Sequence, residues 1–172
     1  MADVAETDSF VVRWATTKDT QEILRMNEEL TTFHHDPVSA CAGAQKGLPE
    51  EIKNNSYWVQ VLVAERQPAT AERQLVGFAL VNPGYSCYSG RRLRLEAIYV
   101  EDKYRGRGIG KALMKAIAKH ATEQGCKKIS WTVIGWNEKG ISFYEALGAT
   151  KDKWEQFSLK EEAIVRLSQE GE

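Results

Sequence analysis

Residues 100–125 read VEDKYRGRGIGKALMKAIAKHATEQG, and this stretch decides the fold. Gly106, Gly108 and Gly110 stand at alternate positions, with Arg105, Arg107, Ile109 and Lys111 threaded among them. The spacing of Leu113, Ile117 and Ala121 then predicts an amphipathic helix from residue 110 to about residue 124, ended by Gly125. A helix start offers unpaired N–H groups and the positive end of its dipole. Glycine removes the Cβ that would keep an anion away from those amides. Together they make an anion site, with phosphate or pyrophosphate as the expected ligand. A flexible turn with solvated arginines is the plainer alternative. Against it, each glycine costs up to about 1 kcal/mol of order relative to alanine.

Two familiar phosphate loops are excluded. A nucleoside-triphosphate loop needs Gly-Lys-Ser/Thr, whereas Ala112 follows Gly110 and Lys111, so the magnesium-binding hydroxyl is missing. The dinucleotide fingerprint puts a third glycine where Lys111 stands, and it opens a parallel unit rather than closing a meander. What remains is Arg-x-x-Gly-x-Gly, from Arg105 to Gly110.

Upstream, FVVRWA (residues 10–15), YWVQVLVAER (57–66), LVGFALVN (75–82) and LRLEAIYV (93–100) read as strands. Ile23, Met26, Leu30 and Phe33 mark an amphipathic helix, with Thr17 or Asp19 as its cap and Glu22 placed for a capping box with Asp19. A short helix is expected over residues 49–54, with loops at QPATAERQ (67–74) and PGYSCYSGR (83–91). Downstream, KKISWTVI (127–134) reads as a strand. Asn137 is an N-cap, EKGISFYEAL (138–147) a helix, WEQFSLK (154–160) a last strand, and EEAIVRLSQE (161–170) a last helix. The order is α+β: a mostly antiparallel meander, a strand-helix-strand crossover, then a helix and another strand. Residues 1–9 read as a loose tail, and residues 10–170 as a single domain.

The totals narrow the classes. A chain of 172 residues with 42% hydrophobic and 27% charged residues suits one soluble domain with a sizeable core. A formal net charge of -1 argues against a general nucleic-acid binder. No apolar run is long enough to cross a bilayer, so no membrane partner is expected. The acidic MADVAETDSF lacks an apolar signal core, and a cytoplasmic location is expected. Cys41, Cys87 and Cys126 show no metal spacing and read as free thiols. His34, His35 and His120 support no metal, and none is expected.

With its strand before it, YRGRGIGKAL resembles the pyrophosphate loop of the GNAT N-acetyltransferases. LEAIYVEDKYRGRGIG followed by WNEKGISFYEALGA is similar to the diamine and polyamine branch of that family, which includes thialysine acetyltransferases. The resemblance spans most of residues 10–167 and is strongest over residues 93–149. It implies a twisted, mixed sheet of about seven strands flanked by helices. In that fold the fourth and fifth strands splay apart around the pantetheine arm of acetyl-CoA. By the resemblance, backbone groups near Ile98 and Val100 would pair with that arm, and the loop amides from Arg105 to Lys111 would hold the pyrophosphate. Asn137 would contact the arm, cap its helix, or do both. An oxyanion donor is expected near Ile98. A homodimer is carried over in the same way.

The implied reaction is attack of an amine on a thioester. An alkyl ammonium resembling lysine has a pKa near ~10.4 and must lose a proton first. Glu96, interrupting LRLEAIYV, matches the family's base and would also attract a cationic substrate; otherwise it is a surface glutamate. Tyr144 matches the acid that protonates the departing thiolate, the alternative being that Phe143 and Tyr144 only pack on the sheet. Trp154 matches an aromatic that shapes the amine site, or is a core residue of the last strand.

Relatives acting on polyamines carry a second acid after the glutamate, where this chain has Ala97, and Arg91, Arg92 and Arg94 stand just upstream. The expected acceptor is therefore a small primary amine, a short diamine or a lysine-like amino acid such as thialysine, ahead of the long polyamines. Two alternatives stay open. One is a family member acting on a protein lysine, a protein N-terminus or an aminoglycoside. The other is a non-catalytic acyl-CoA-binding module.

Overall fold

The computed structural model describes residues 9–67 and 73–169. The expected tail lies outside the described residues as far as residue 8, and Ser9 already belongs to the first strand; most of the expected loop at 67–74 also lies outside them.

Five strands form one sheet in chain order: β1 (Ser9–Trp14), β2 (Gln60–Gln67), β3 (Gln74–Ser86), β4 (Gly90–Val100) and β5 (Lys128–Ser130). The first four are antiparallel neighbours, and β5 joins β4 in parallel. The helices are α1 (Thr20–Phe33), α2 (Ala42–Lys53), α3 (Ile109–Glu123), α4 (Glu138–Ala146) and α5 (Glu161–Ser168). Two compact units divide between Thr132 and Val133. The first holds the sheet with α1, α2 and α3; the second holds α4 and α5.

In the first unit, Ile23, Leu24 and Met26 of α1 pack with Val61, Val63, Phe78 and Tyr99. Leu62 and Ala64, which alternate with Val61 and Val63, are buried as well. A strand buried on both faces needs cover on both sides. Helix α3 packs on β2, β3 and β4 and buries Leu113, Ile117 and Ala121, the stripe expected from the sequence.

Several expectations need correction. The sheet has five strands among the described residues, not about seven. Residues 154–160 form no strand. KKISWTVI contributes only Lys128–Ser130. Residues 83–86 and 90–91, expected in a loop, extend β3 and β4. The helix expected at residue 49 starts at Ala42 and carries Pro49 inside it. Asp19 stands at the N-cap position of α1 without capping it: its carboxylate accepts from Thr16 N and Thr16 Oγ1 and from Arg13, while Glu22 pairs with Arg25.

Candidate functional site

Strands β4 and β5 are joined at only three positions, Arg92 with Lys128, Leu93 with Ile129 and Arg94 with Ser130. Beyond Arg94, β5 ends and β4 runs on for six more residues to Val100. The other edge of β4 stays paired with β3 up to Gly77. Residues 95–100 therefore present an edge whose backbone N–H and C=O groups have no partner on another described strand, although Val100 O accepts from the Arg105 side chain. Ile98 and Val100 lie on it, both half-buried.

Glu96 sits where this opening begins. On β3, Val81 faces Leu95 and Leu80 faces Ala97, so Glu96 is an extra residue with no partner across the ladder. A bulge of this kind bends the strand and re-aims a side chain. The Glu96 side chain is 47% exposed, and its Oε1 accepts a hydrogen bond from Arg94 Nε at 3.1 Å. Arg94 is 29% exposed, and its Nη2 reaches Thr132 Oγ1 at 3.4 Å.

The glycine loop follows β4 after one short turn at Asp102–Tyr104. Gly106 and Gly108 have φ of 76° and 83°, a region in which a side chain is strained, and Gly108 is the cap of α3. A Cβ at either position would meet nothing within 4 Å. The loop amides thus border open space at the start of a fifteen-residue helix whose buried residues begin with Ile109. Gly110 lies in the first turn of that helix, and Lys111 is exposed.

The two loop arginines are partly committed to the fold. Arg105 Nε donates to Val100 O at 2.9 Å, its Nη1 lies 2.5 Å from Asp102 Oδ1, and its guanidinium lies 5.3 Å from the Phe33 ring centroid and 5.5 Å from that of Tyr99. Arg107 lies 5.4 Å from the Tyr104 ring centroid. These stacks fix the approach of the chain from β4 into the loop.

In the second unit, Asn137 caps α4, its Oδ1 accepting from Gly140 N at 2.9 Å. Tyr144 lies on α4, half-buried, and burial pushes its hydroxyl pKa above the ordinary tyrosine value. Trp154 is 68% exposed, with Lys153 Nζ 5.2 Å from its ring centroid, so it is not the core residue of a last strand.

Beside α1, a groove of about 510 Å³ is lined by Glu22, Arg25, Glu29, Tyr99 and Glu101 but does not include Glu96. Its charges are largely satisfied within the protein: Arg25 pairs with Glu22, Glu29 and Glu101, and Tyr99 Oη donates to Glu29 Oε2 at 3.0 Å. Among the described residues no group of three or more His, Cys, Asp or Glu side chains gathers as a metal site would require.

Sequence reasoning found Glu96 but missed its bulge, which depends on register against Val81 and Leu80 of β3, distant along the chain. It noted Arg94 without its contact to Glu96; the spacing of two along a strand was the available signal. It also missed Thr132 and the inward role of Arg105.

Comparison with known proteins bears on what this arrangement serves. The Acetyltransferase (GNAT) family matches residues 21–149. The thialysine N-epsilon-acetyltransferase of Sus scrofa is 34% identical over 169 residues, covering 93% of this chain and 98% of that one. That of Mus musculus is 35% identical, covering 91% and 96%. In fold, the chain resembles an aminoglycoside N-acetyltransferase in complex with CoA, with TM-score 0.73, 21% identity and coverage of 92% and 99%. A family match over most of the chain, joined to full-length relatives above 30% identity, settles the assignment: the chain belongs to the GNAT family of acetyltransferases.

Proposed function

We propose that the chain moves the acetyl group of acetyl-CoA to the primary amine of a lysine-like amino acid such as thialysine, or of a small diamine or polyamine. The observation that carries this reading is the junction at Arg94, where β5 ends, Glu96 bulges out, and an open strand edge leads to the glycine loop. Full-length similarity to the thialysine acetyltransferases supports the acceptor class. A single acetyltransferase domain over residues 10–170 belongs to the same reading.

In this mechanism the loop amides from Arg105 to Lys111 bind the pyrophosphate, assisted by Arg107 and Lys111. The backbone near Ile98 and Val100 holds the pantetheine arm, and Asn137 adds a contact to it while capping α4. Glu96 takes a proton from the ammonium, directly or through water. The freed amine lone pair attacks the thioester carbonyl carbon within a ternary complex. The carbonyl oxygen becomes an oxyanion, met by a backbone N–H near Ile98. The C–S bond then breaks, the thiolate takes a proton from the Tyr144 hydroxyl, and the second proton leaving the amine nitrogen as the amide forms returns through water to the Tyr144 oxygen. The raised Tyr144 pKa keeps that proton in place at neutral pH. Trp154 offers an aromatic face to the amine.

A homodimer and a cytoplasmic location complete the proposal. Trp154, Phe157 and Leu159 are 68%, 90% and 60% exposed, an apolar run that a second copy would cover. Among the described residues no helix is long and apolar enough to cross a membrane. The test is a panel of amines, peptides and aminoglycosides assayed by CoA release, with light scattering for the dimer. Turnover of small amines carries the proposal; turnover of peptides or aminoglycosides alone overturns it.

A further inference from the structure

We infer that Arg94 is a specificity-determining residue that selects acceptors carrying a carboxylate and disfavours those whose second cation no carboxylate offsets. This rests on the acceptor site proposed at Glu96. An amine delivered to Glu96 brings the rest of its molecule close to a guanidinium whose Nε is 3.1 Å from Glu96 Oε1. That guanidinium is always charged and has five N–H donors. One goes to Glu96 and one to Thr132 Oγ1, and the rest have no other partner among the described residues.

The charge balance points the same way. Arg94 offsets Glu96, Ala97 adds no second acid, and Arg91 and Arg92 precede them on the same strand. A diamine whose first nitrogen meets Glu96 finds no second anion on this strand segment and a cation within a few ångströms. Screening is weak at such separations. A lysine-like amino acid instead offers a carboxylate at the end of a flexible chain, and a guanidinium pairs with a carboxylate through parallel, charge-assisted hydrogen bonds. Thr132 and Glu96 hold the guanidinium from two sides, so less freedom is lost when the acceptor binds.

The experiment compares three acceptors by CoA release: L-thialysine, its carboxamide, and the diamine left when its carboxylate is removed. For the wild type, kcat/KM should fall about tenfold from thialysine to the carboxamide, the change expected of one charge-assisted contact, and at least as far for the diamine. In Arg94→Gln the three values should converge, through KM for thialysine, and Arg94→Lys should keep part of the preference. Equal losses on all three acceptors in Arg94→Gln would mean that Arg94 only holds Glu96 in place, and would overturn the inference. So would a wild-type ratio near one, a result that needs no variant. Turnover without discrimination defeats this inference alone, whereas failure to acetylate any of the three defeats the acceptor reading beneath it.

Discussion

The guanidinium of Arg13 grips the carboxylate of Asp19 with two hydrogen bonds, Nη1 to Oδ2 at 2.7 Å and Nη2 to Oδ1 at 2.9 Å. The same guanidinium holds Glu65 on β2, so one side chain ties β1 to its neighbouring strand and to the start of α1. Arg13 and the Thr16 donors hold the Asp19 carboxyl at about 2, below its ordinary value. A depressed carboxylate pKa stabilises the fold above the unfolded value, near 3.8, and that stabilisation is lost as pH falls through about 2. Asp19 is buried, so solvent screening is small. Asp19→Asn should cost about 2 kcal/mol at pH 7. In urea titrations its deficit should shrink as pH falls from about 4 to about 2. Parallel curves down to pH 2 would show that the carboxylate charge is not what holds this corner.

The glycine loop gives a second expectation. Gly108 has φ of 83° and open space where a side chain would project. Gly108→Ala should lower stability by only about 1 kcal/mol, the cost of a left-handed residue carrying a Cβ. If the loop amides hold the pyrophosphate as proposed, affinity for CoA should fall further, about tenfold or more, because the strained residue disturbs the backbone that would carry them. Calorimetry of CoA binding, beside a melting curve of the same variant, separates the two effects. Unchanged affinity would remove the loop from the binding site.

How far the sequence reached depends on how local each signal was. The loop and α3 were legible because caps, glycines and a helical stripe act within a few residues of one another. The bulge at Glu96 has no local signature, since it exists only as a register shift against Val81 and Leu80. Residues 154–160 have strand-like composition, yet a strand also requires an edge to pair with, and Trp154, Phe157 and Leu159 remain exposed. Residues 83–86 and 90–91 read as a loop for the opposite reason: Pro83 and Gly84 suggest a turn, and pairing with Leu93 and Arg92 overrides it.

The proposed acid and base have different pH signatures. Glu96→Gln removes the proton acceptor while keeping the shape, and should lower kcat about 100-fold. Tyr144→Phe should lower it by roughly 10- to 100-fold. Activity that depends on a protonated hydroxyl falls as pH rises through its pKa, and burial moves the Tyr144 pKa upward. The alkaline fall of kcat in the wild type should therefore lie above about pH 10, the ordinary tyrosine value. A fall near pH 8 that survives in Tyr144→Phe would assign the acid elsewhere.

Asn137 and Gly140 form a matched pair at the start of α4. Asn137 Oδ1 accepts from Gly140 N, and a Cβ at residue 140 would lie 2.5 Å from Asn137 Nδ2. Asn137→Ala loses the cap and should cost about 1 kcal/mol. Gly140→Ala retains every cap atom but drives a methyl group into the amide, so the cap must rotate away. The double variant should then be less destabilised than the sum of the two single changes, because alanine at position 137 removes the amide that the new methyl group strikes. If Asn137 also touches the coenzyme arm, Asn137→Ala should raise the Kd for CoA while Asn137→Asp, which keeps the accepting oxygen and the cap, preserves stability. A Kd unmoved in Asn137→Ala would restrict this residue to capping.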